Sequence, residues 1–170
     1  MVYRTKLPDT ASVVNSKDGE RLFSASAERN SAPIINVVKR IAPNSGEALE
    51  IASGTGQHIA KLALSLPNLS WSPSEVERER LKSISAWIEE ENLPNIKAPI
   101  HLDATDPGWA ESLPQYDFIL LVNLLHLISW NETKTLISEL SKTLKKNGVA
   151  FIYGPFLRTG KLTSEGDKNF

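Results

Sequence analysis

The stretch Leu49-Glu50-Ile51-Ala52-Ser53-Gly54-Thr55-Gly56-Gln57-His58 constrains the fold of this chain more than any other. It reads as a short apolar strand, 48–52, carrying one acid, then a loop of small residues, then a helix start. Gly54 and Gly56 permit positive φ and remove Cβ atoms, so main chain can approach a ligand closely. The helix that follows aims unpaired N–H groups at the same point. The string is therefore a binding loop set at the end of a buried strand.

Around it, strands and helices alternate. Ile34, Ile35, Val38 and Ile41 recur at helical spacing, with Asn30 or Ser31 as the expected cap and Pro33 in the first turn. Ile59, Leu62, Ala63 and Leu66 give a second helix, and 69–72 a short second strand. Ser74 and Glu77 read as a capping box for a third helix, whose apolar face is Leu81, Ile84, Trp87 and Ile88. Strand 96–102 carries Pro99, which suits a sheet edge. The unbroken apolar run 118–122 is the pattern of a strand covered on both faces. A fourth helix begins at Asn131 or Thr133 and closes with Lys145 and Lys146; Asn147-Gly148 then turns into strand 149–153. This alternation implies an α/β fold: an open, mainly parallel, Rossmann-like sheet with helices on both faces. In such sheets the loop after the first strand lies where ligands bind.

Length and composition narrow the function. A chain of 170 residues is one domain, here 21–170 behind a flexible lead-in, 1–20. A formal net charge of -1 argues against nucleic acid or an anionic membrane as partner. The absence of cysteine excludes disulfides, zinc–thiolate sites and thiol catalysis, and no metal site is expected. No apolar run is long enough to cross a bilayer, and no secretory h-region stands at the N-terminus, so a cytoplasmic protein is expected.

Two ligand classes compete for the loop. A dinucleotide fingerprint needs a third small residue where this chain has Ile59, which weakens a nicotinamide-dependent oxidoreductase. The spacing of Glu50, Ala52, Gly54 and Gly56 instead resembles the acidic-x-Gly-x-Gly-x-Gly motif of class I S-adenosylmethionine-dependent methyltransferases, with Ala52 replacing the first glycine. Glu75, after the second strand, is placed to accept two ribose hydroxyls, although a first-turn helix acid occupies the same position. Asp103 is placed to accept an adenine amino group and Ala104 to offer a backbone N–H, although an Asx turn explains Asp103 equally well. Asn123 and His126 follow the fourth strand and Tyr153 ends the fifth; His126 and Tyr153 are pocket candidates, with no catalytic role assigned.

Several strings together resemble the methyltransferase-like protein 26 family, also labelled domain of unknown function 938. They are Phe23-Ser24-Ala25-Ser26-Ala27-Glu28-Arg29-Asn30, the loop string above, Trp71-Ser72-Pro73-Ser74-Glu75, Asn95-Ile96-Lys97-Ala98-Pro99 and Tyr153-Gly154-Pro155-Phe156. The resemblance spans 21–170 and implies a class I methyltransferase fold lacking its last strands. It implies S-adenosylmethionine as cofactor and S-adenosylhomocysteine as product. Carried over by position, Arg29, Glu50, Ala52, Ser53, Gly54, Gly56, His58, Glu75, Asp103, Ala104 and Asn123 are the cofactor-binding candidates. Glu75 stands where relatives have aspartate, and Arg29 is expected to face a carboxylate. Relatives continue for some dozens of residues, so the apolar strand 149–153 would be an open edge here; a natural truncation, a shortened chain and cover by a second subunit are the three readings, and if this chain is the whole protein a homodimer paired at that edge is expected. The expected function is methyl transfer to a small-molecule acceptor; the alternative is a non-catalytic cofactor- or partner-binding module.

Overall fold

The computed structural model describes Val14 and residues 16–156. Most of the expected lead-in, and the tail 157–170, lie outside the described residues. The chain first forms a small hairpin, β1 (Ser16–Asp18) and β2 (Arg21–Phe23). This hairpin takes residues assigned above to the lead-in. It forms because it docks on a helix: Leu22 is buried and its N–H donates to Ser83 Oγ at 2.8 Å. The Arg21 guanidinium lies 4.8 Å from the Trp87 ring. Strands of three residues carry too little periodicity to be seen in sequence.

Next come α1 (Ala25–Ile41), β3 (Gly46–Ile51), α2 (Gln57–Ser65), β4 (Leu69–Glu75) and α3 (Arg78–Glu90). The chain continues with β5 (Ile100–His101), β6 (Tyr116–Val122), α4 (Trp130–Thr143) and β7 (Leu144–Tyr153). The five strands from β3 onward make one parallel sheet in the order β5-β4-β3-β6-β7. The fold is α/β and Rossmann-like. Chain order runs outward one way through β4 and β5 and the other way through β6 and β7. The reversal falls between β3 and β6, which opens a crevice beyond their carboxyl ends.

Two apolar layers hold the sheet. Ala48, Trp71, Phe118 and Leu120 point to one side and meet Ile34 and Val38 of α1, Ile59 and Leu62 of α2 and Ile84 of α3. Leu49, Ile51, Ile119 and Leu121 point to the other and meet Leu136 and Leu140 of α4. Residues 118–121 are fully buried, as the unbroken apolar run implies, and each such side chain contributes about 1.5–3 kcal/mol.

Several local expectations are corrected. α1 starts at Ala25, so Pro33 lies in its interior; the ring only withholds an N–H from the Arg29 carbonyl, and the apolar face of α1 holds the helix to the sheet. β4 runs on through Pro73 to Glu75, because its partner β3 continues to Glu50 opposite Pro73. The Ser74–Glu77 capping box does not form: Ser74 is inside β4 and donates to the Glu50 carbonyl at 2.9 Å. A capping box forms instead at the start of α4, between Ser129 and Glu132. Lys145 and Lys146 belong to β7, where residues 145–148 bulge opposite Asp117 and Asn147 adopts φ 68°. The expected strand 96–102 is broken by Ala98-Pro99 into a bridge from Ile96 to Trp71 and the short β5 at the sheet edge. Among the described residues no helix is long and apolar enough to cross a membrane.

Candidate functional site

The loop between β3 and α2 makes its turn with three left-handed residues: Ala52 (φ 55°), Gly54 (φ 60°) and Gly56 (φ 92°). The two glycines serve different ends. A Cβ on Gly54 would meet only the Arg80 guanidinium, at 3.5 Å, so this residue faces open space. A Cβ on Gly56 would lie 2.9 Å from Trp87 Cδ1 and 3.1 Å from Ile84 Cα. Gly56 therefore lets α3 pack against the loop and does not face a ligand, which corrects its assignment to the binding surface.

Main-chain bonds clamp the loop to the end of β4. Ser53 N–H donates to the Ser74 carbonyl at 2.8 Å and Ser74 N–H to Ser53 Oγ at 3.2 Å. Gly54 N–H donates to Glu75 Oε2 at 2.9 Å. The other oxygen of Glu75 accepts from Val76 N–H at 2.7 Å and Glu77 N–H at 3.3 Å. Burial raises the Glu75 carboxyl above its ordinary range, opposed by these N–H groups and by Arg80. On the neighbouring strand Glu50 is 1% exposed and its Oε2 has no partner. Burial pushes it up to about 8; the Ser53 hydroxyl works against this and the charge on Glu75 adds to it.

The opposite wall comes from α1 and α2. Ser24, which caps α1, donates its N–H to Gln57 Oε1 at 2.6 Å, and Thr55 Oγ1 donates to the same oxygen at 2.9 Å. Gln57 Nε2 donates to Glu28 at 3.2 Å, and Lys61 pairs with Glu28 at 2.7 Å. His58 Nε2 and Asn30 Oδ1 are 2.7 Å apart. The Glu28-Arg29-Asn30 and Gly56-Gln57-His58 strings are thus partners in one helix–helix contact. Burial pulls His58 down to about 4, with Lys61 adding to the effect, so its imidazole is neutral at pH 7.

Between these walls is a cleft with about 590 Å³ of empty space, the open solvent at its mouth included. Its floor is Ala52, Ser53, Gly54 and Thr55; Glu75 and Arg80 line one side, and Ser24, Ser26, Ala27 and His58 the other. Val122, Asn123, Leu124 and Leu127 close the end beyond β6. Asn123 is another left-handed residue (φ 54°), and its N–H donates to the Tyr153 carbonyl at 2.8 Å.

Of the sequence-predicted residues, Ala52, Ser53, Gly54, His58, Glu75 and Asn123 meet in the cleft. Glu50 lies behind them. Asp103 does not line it: its Oδ1 accepts from Thr105 N–H at 2.9 Å and from Thr105 Oγ1, which is the Asx turn. Ala104 is buried in the second apolar layer and its carbonyl accepts from the Trp109 indole. Arg29 is exposed and does not line the cleft; its neighbours Glu28 and Asn30 make the contacts to α2. His126 and Tyr153 stand beside the cleft's lining, not in it. Arg80 went unread because it sits in the charged run 77–80. Its signal was periodic: Arg80, Ser83, Ile84 and Trp87 share one helix stripe, which is buried.

Residues 21–170 match the family described as "Protein of unknown function (DUF938)". Among solved structures, an O-methyltransferase family protein from Burkholderia thailandensis superposes with a TM-score of 0.70 at 17% identity, over 85% of this chain and 44% of that one. A methyltransferase in calicheamicin biosynthesis, in its SAH-bound form, gives 0.66 at 13% identity, over 85% and 41%. Coclaurine N-methyltransferase, bound to N-methylheliamine and SAH, gives 0.62 at 18% identity, over 84% and 40%. The chain spans less than half the length of each, and what it shares with them is the fold.

Proposed function

This chain belongs to the DUF938 family, and from that membership and its fold we propose that it is an S-adenosylmethionine-dependent methyltransferase acting on a small-molecule acceptor. The observation that carries the reading is the clamped loop: Gly54 opens onto a cleft at the sheet's reversal point, with Glu75 and an orphaned buried carboxyl oxygen of Glu50 beside it. These residues fit a ligand that combines a positive charge with hydrogen-bonding hydroxyls. S-Adenosylmethionine supplies an electrophilic methyl group on a sulfonium. The chain's part is positioning. Gly54 and Ser53 let the ligand lie against main chain, and Glu75 holds the loop shut from beneath. Leu124 and Leu127 exclude water from the end where Ser24, Ser26 and neutral His58 offer uncharged polar contacts to an acceptor. Pairing of two copies along β7, which ends the sheet, belongs to the same proposal and is tested by light scattering at high concentration.

Calorimetric titration with S-adenosylmethionine and S-adenosylhomocysteine tests the reading. Both ligands should bind, and Gly54→Leu, which places a side chain in the cleft at a left-handed position, should weaken binding at least about 100-fold while the chain stays folded. Absence of binding by the unaltered chain refutes it.

A further inference from the structure

We propose that Glu50 sets the cleft's preference between a cationic methyl donor and its uncharged thioether product, by giving up a proton in exchange for the donor's positive charge. This rests on the cofactor reading above. Glu50 follows Ala48 by two residues on β3, so its side chain points to the face covered by α1, α2 and α3. There Oε2 has no partner, and Ser53, whose hydroxyl donates to the Glu50 carbonyl at 3.3 Å, forms part of the cleft floor. A buried carboxylate with an unsatisfied oxygen is unfavourable, and the group relieves it by holding a proton. Glu75, on the neighbouring strand, is the acid fitted to carry charge, because its oxygens accept from three backbone N–H groups.

The other ionisable groups on packed elements do not supply a counter-charge to Glu50. On α3, Arg80 is paired with Glu77 at 2.9 Å and lies on the Glu75 side. On α2, His58 is neutral, and on α1, Glu28 is tied to Lys61. After β4 and β5, His101 bonds the Val76 carbonyl and Asp103 the Thr105 turn. β6 places only Leu120 alongside. A fixed positive charge arriving over Ser53 and Gly54 is therefore the event that ionises Glu50. Its O–H bond breaks, the electron pair stays on the carboxylate, and the proton leaves to the buffer. Loss of the methyl group removes the sulfonium charge and favours reprotonation, so the product is held less tightly relative to the donor as pH rises.

Calorimetry of the intact chain at pH 7, in phosphate and in Tris, counts the protons exchanged on binding. S-Adenosylmethionine should release more than about half a proton and S-adenosylhomocysteine less than about 0.2, and donor affinity should rise several-fold from pH 6 to 8. Glu50→Gln should bring both counts close to zero and level the pH profile. Equal counts for the two ligands, or an unchanged count in Glu50→Gln, overturn the proposal with the cofactor reading intact; no heat from either ligand overturns both. Should Glu50→Gln fail to fold, the carboxyl carbon resonance of Glu50 in the labelled wild-type chain decides. It should titrate above pH 7 alone and below it with the donor bound, and an ordinary carboxyl titration in the free chain overturns the proposal.

Discussion

The two walls of the cleft are built on different principles. The loop wall is fixed through main-chain N–H groups, Ser53 to the Ser74 carbonyl and Gly54 to the Glu75 carboxyl of β4, and two buried carboxyls stand beside it. The helix wall is fixed chiefly by side chains: Glu28 and Asn30 of α1 reach Gln57, His58 and Lys61 of α2, and the Ser24 N–H joins them at Gln57. Backbone geometry on the loop side leaves little tolerance for change. Side-chain pairing on the helix side permits adjustment.

If this contrast is right, substitutions in the loop should be the more damaging. Gly56→Val should destabilise the chain by about 3 kcal/mol or more, since the new side chain meets Ile84 backbone and must adopt φ 92°. Urea unfolding measures this, and a loss below about 1 kcal/mol would show the loop to be as pliable as the helix wall.

The walls should also respond oppositely to pH. Glu50 is raised when folded, to about 8 from 4.5, so the folded chain binds more protons than the unfolded one between these values. Its contribution is full below pH 4.5 and is lost as pH rises to 8. His58 is lowered when folded, to about 4 from 6.5, so its contribution is full above pH 6.5 and is lost as pH falls to 4. The two oppose each other between about pH 4.5 and 6.5; above that Glu50 acts in the same direction as Glu75, whose buried carboxyl is also raised. Stability should fall by up to about 2 kcal/mol from pH 6.5 to 8, at a limit of about 1.4 kcal/mol per pH unit. Glu50→Gln should remove most of that decline, leaving what Glu75 contributes, and His58→Gln should remove only the acid limb.

A smaller effect is expected from Asn30→Ala, which leaves His58 without its partner in the helix contact. A loss of about 1–2 kcal/mol in urea unfolding, with S-adenosylhomocysteine affinity changed less than about threefold, would place this contact in the scaffold. The smallest is Ala52→Gly. It relieves a left-handed alanine but frees the unfolded chain, so the melting temperature should move by no more than the equivalent of about 1 kcal/mol.

Patterns that act over neighbouring residues were legible in the sequence. The apolar run 118–121 announced a strand buried on both faces, and the glycine-bearing string announced a turn into a helix. Glu75 was singled out because it follows a strand end at a readable interval, and His58 and Asn123 because the family resemblance carried them over by position; all three line the cleft. The capping box was assigned to Ser74 and Glu77 because the pair has the right spacing; pairing of β4 with β3 claimed Ser74 for the sheet, and Ser129–Glu132 formed the real one. Arg80 was not singled out in the charged run 77–80; α3 turns it toward Gly54.

The sequence by itself determined the alternation of strands and helices from α1 onward, the parallel sheet and the place of the glycine-bearing loop, because each follows from local periodicity and from where glycine is required. Tertiary structure alone decided that Gly54 faces the open cleft and Gly56 a helix, that Asp103 closes its own turn, and that Glu50 lies buried with its Oε2 unpartnered on the strand beside Glu75. Those outcomes depend on which groups distant in sequence arrive next to each residue. Desolvation and hydrogen-bond satisfaction have no value until the surroundings are assembled.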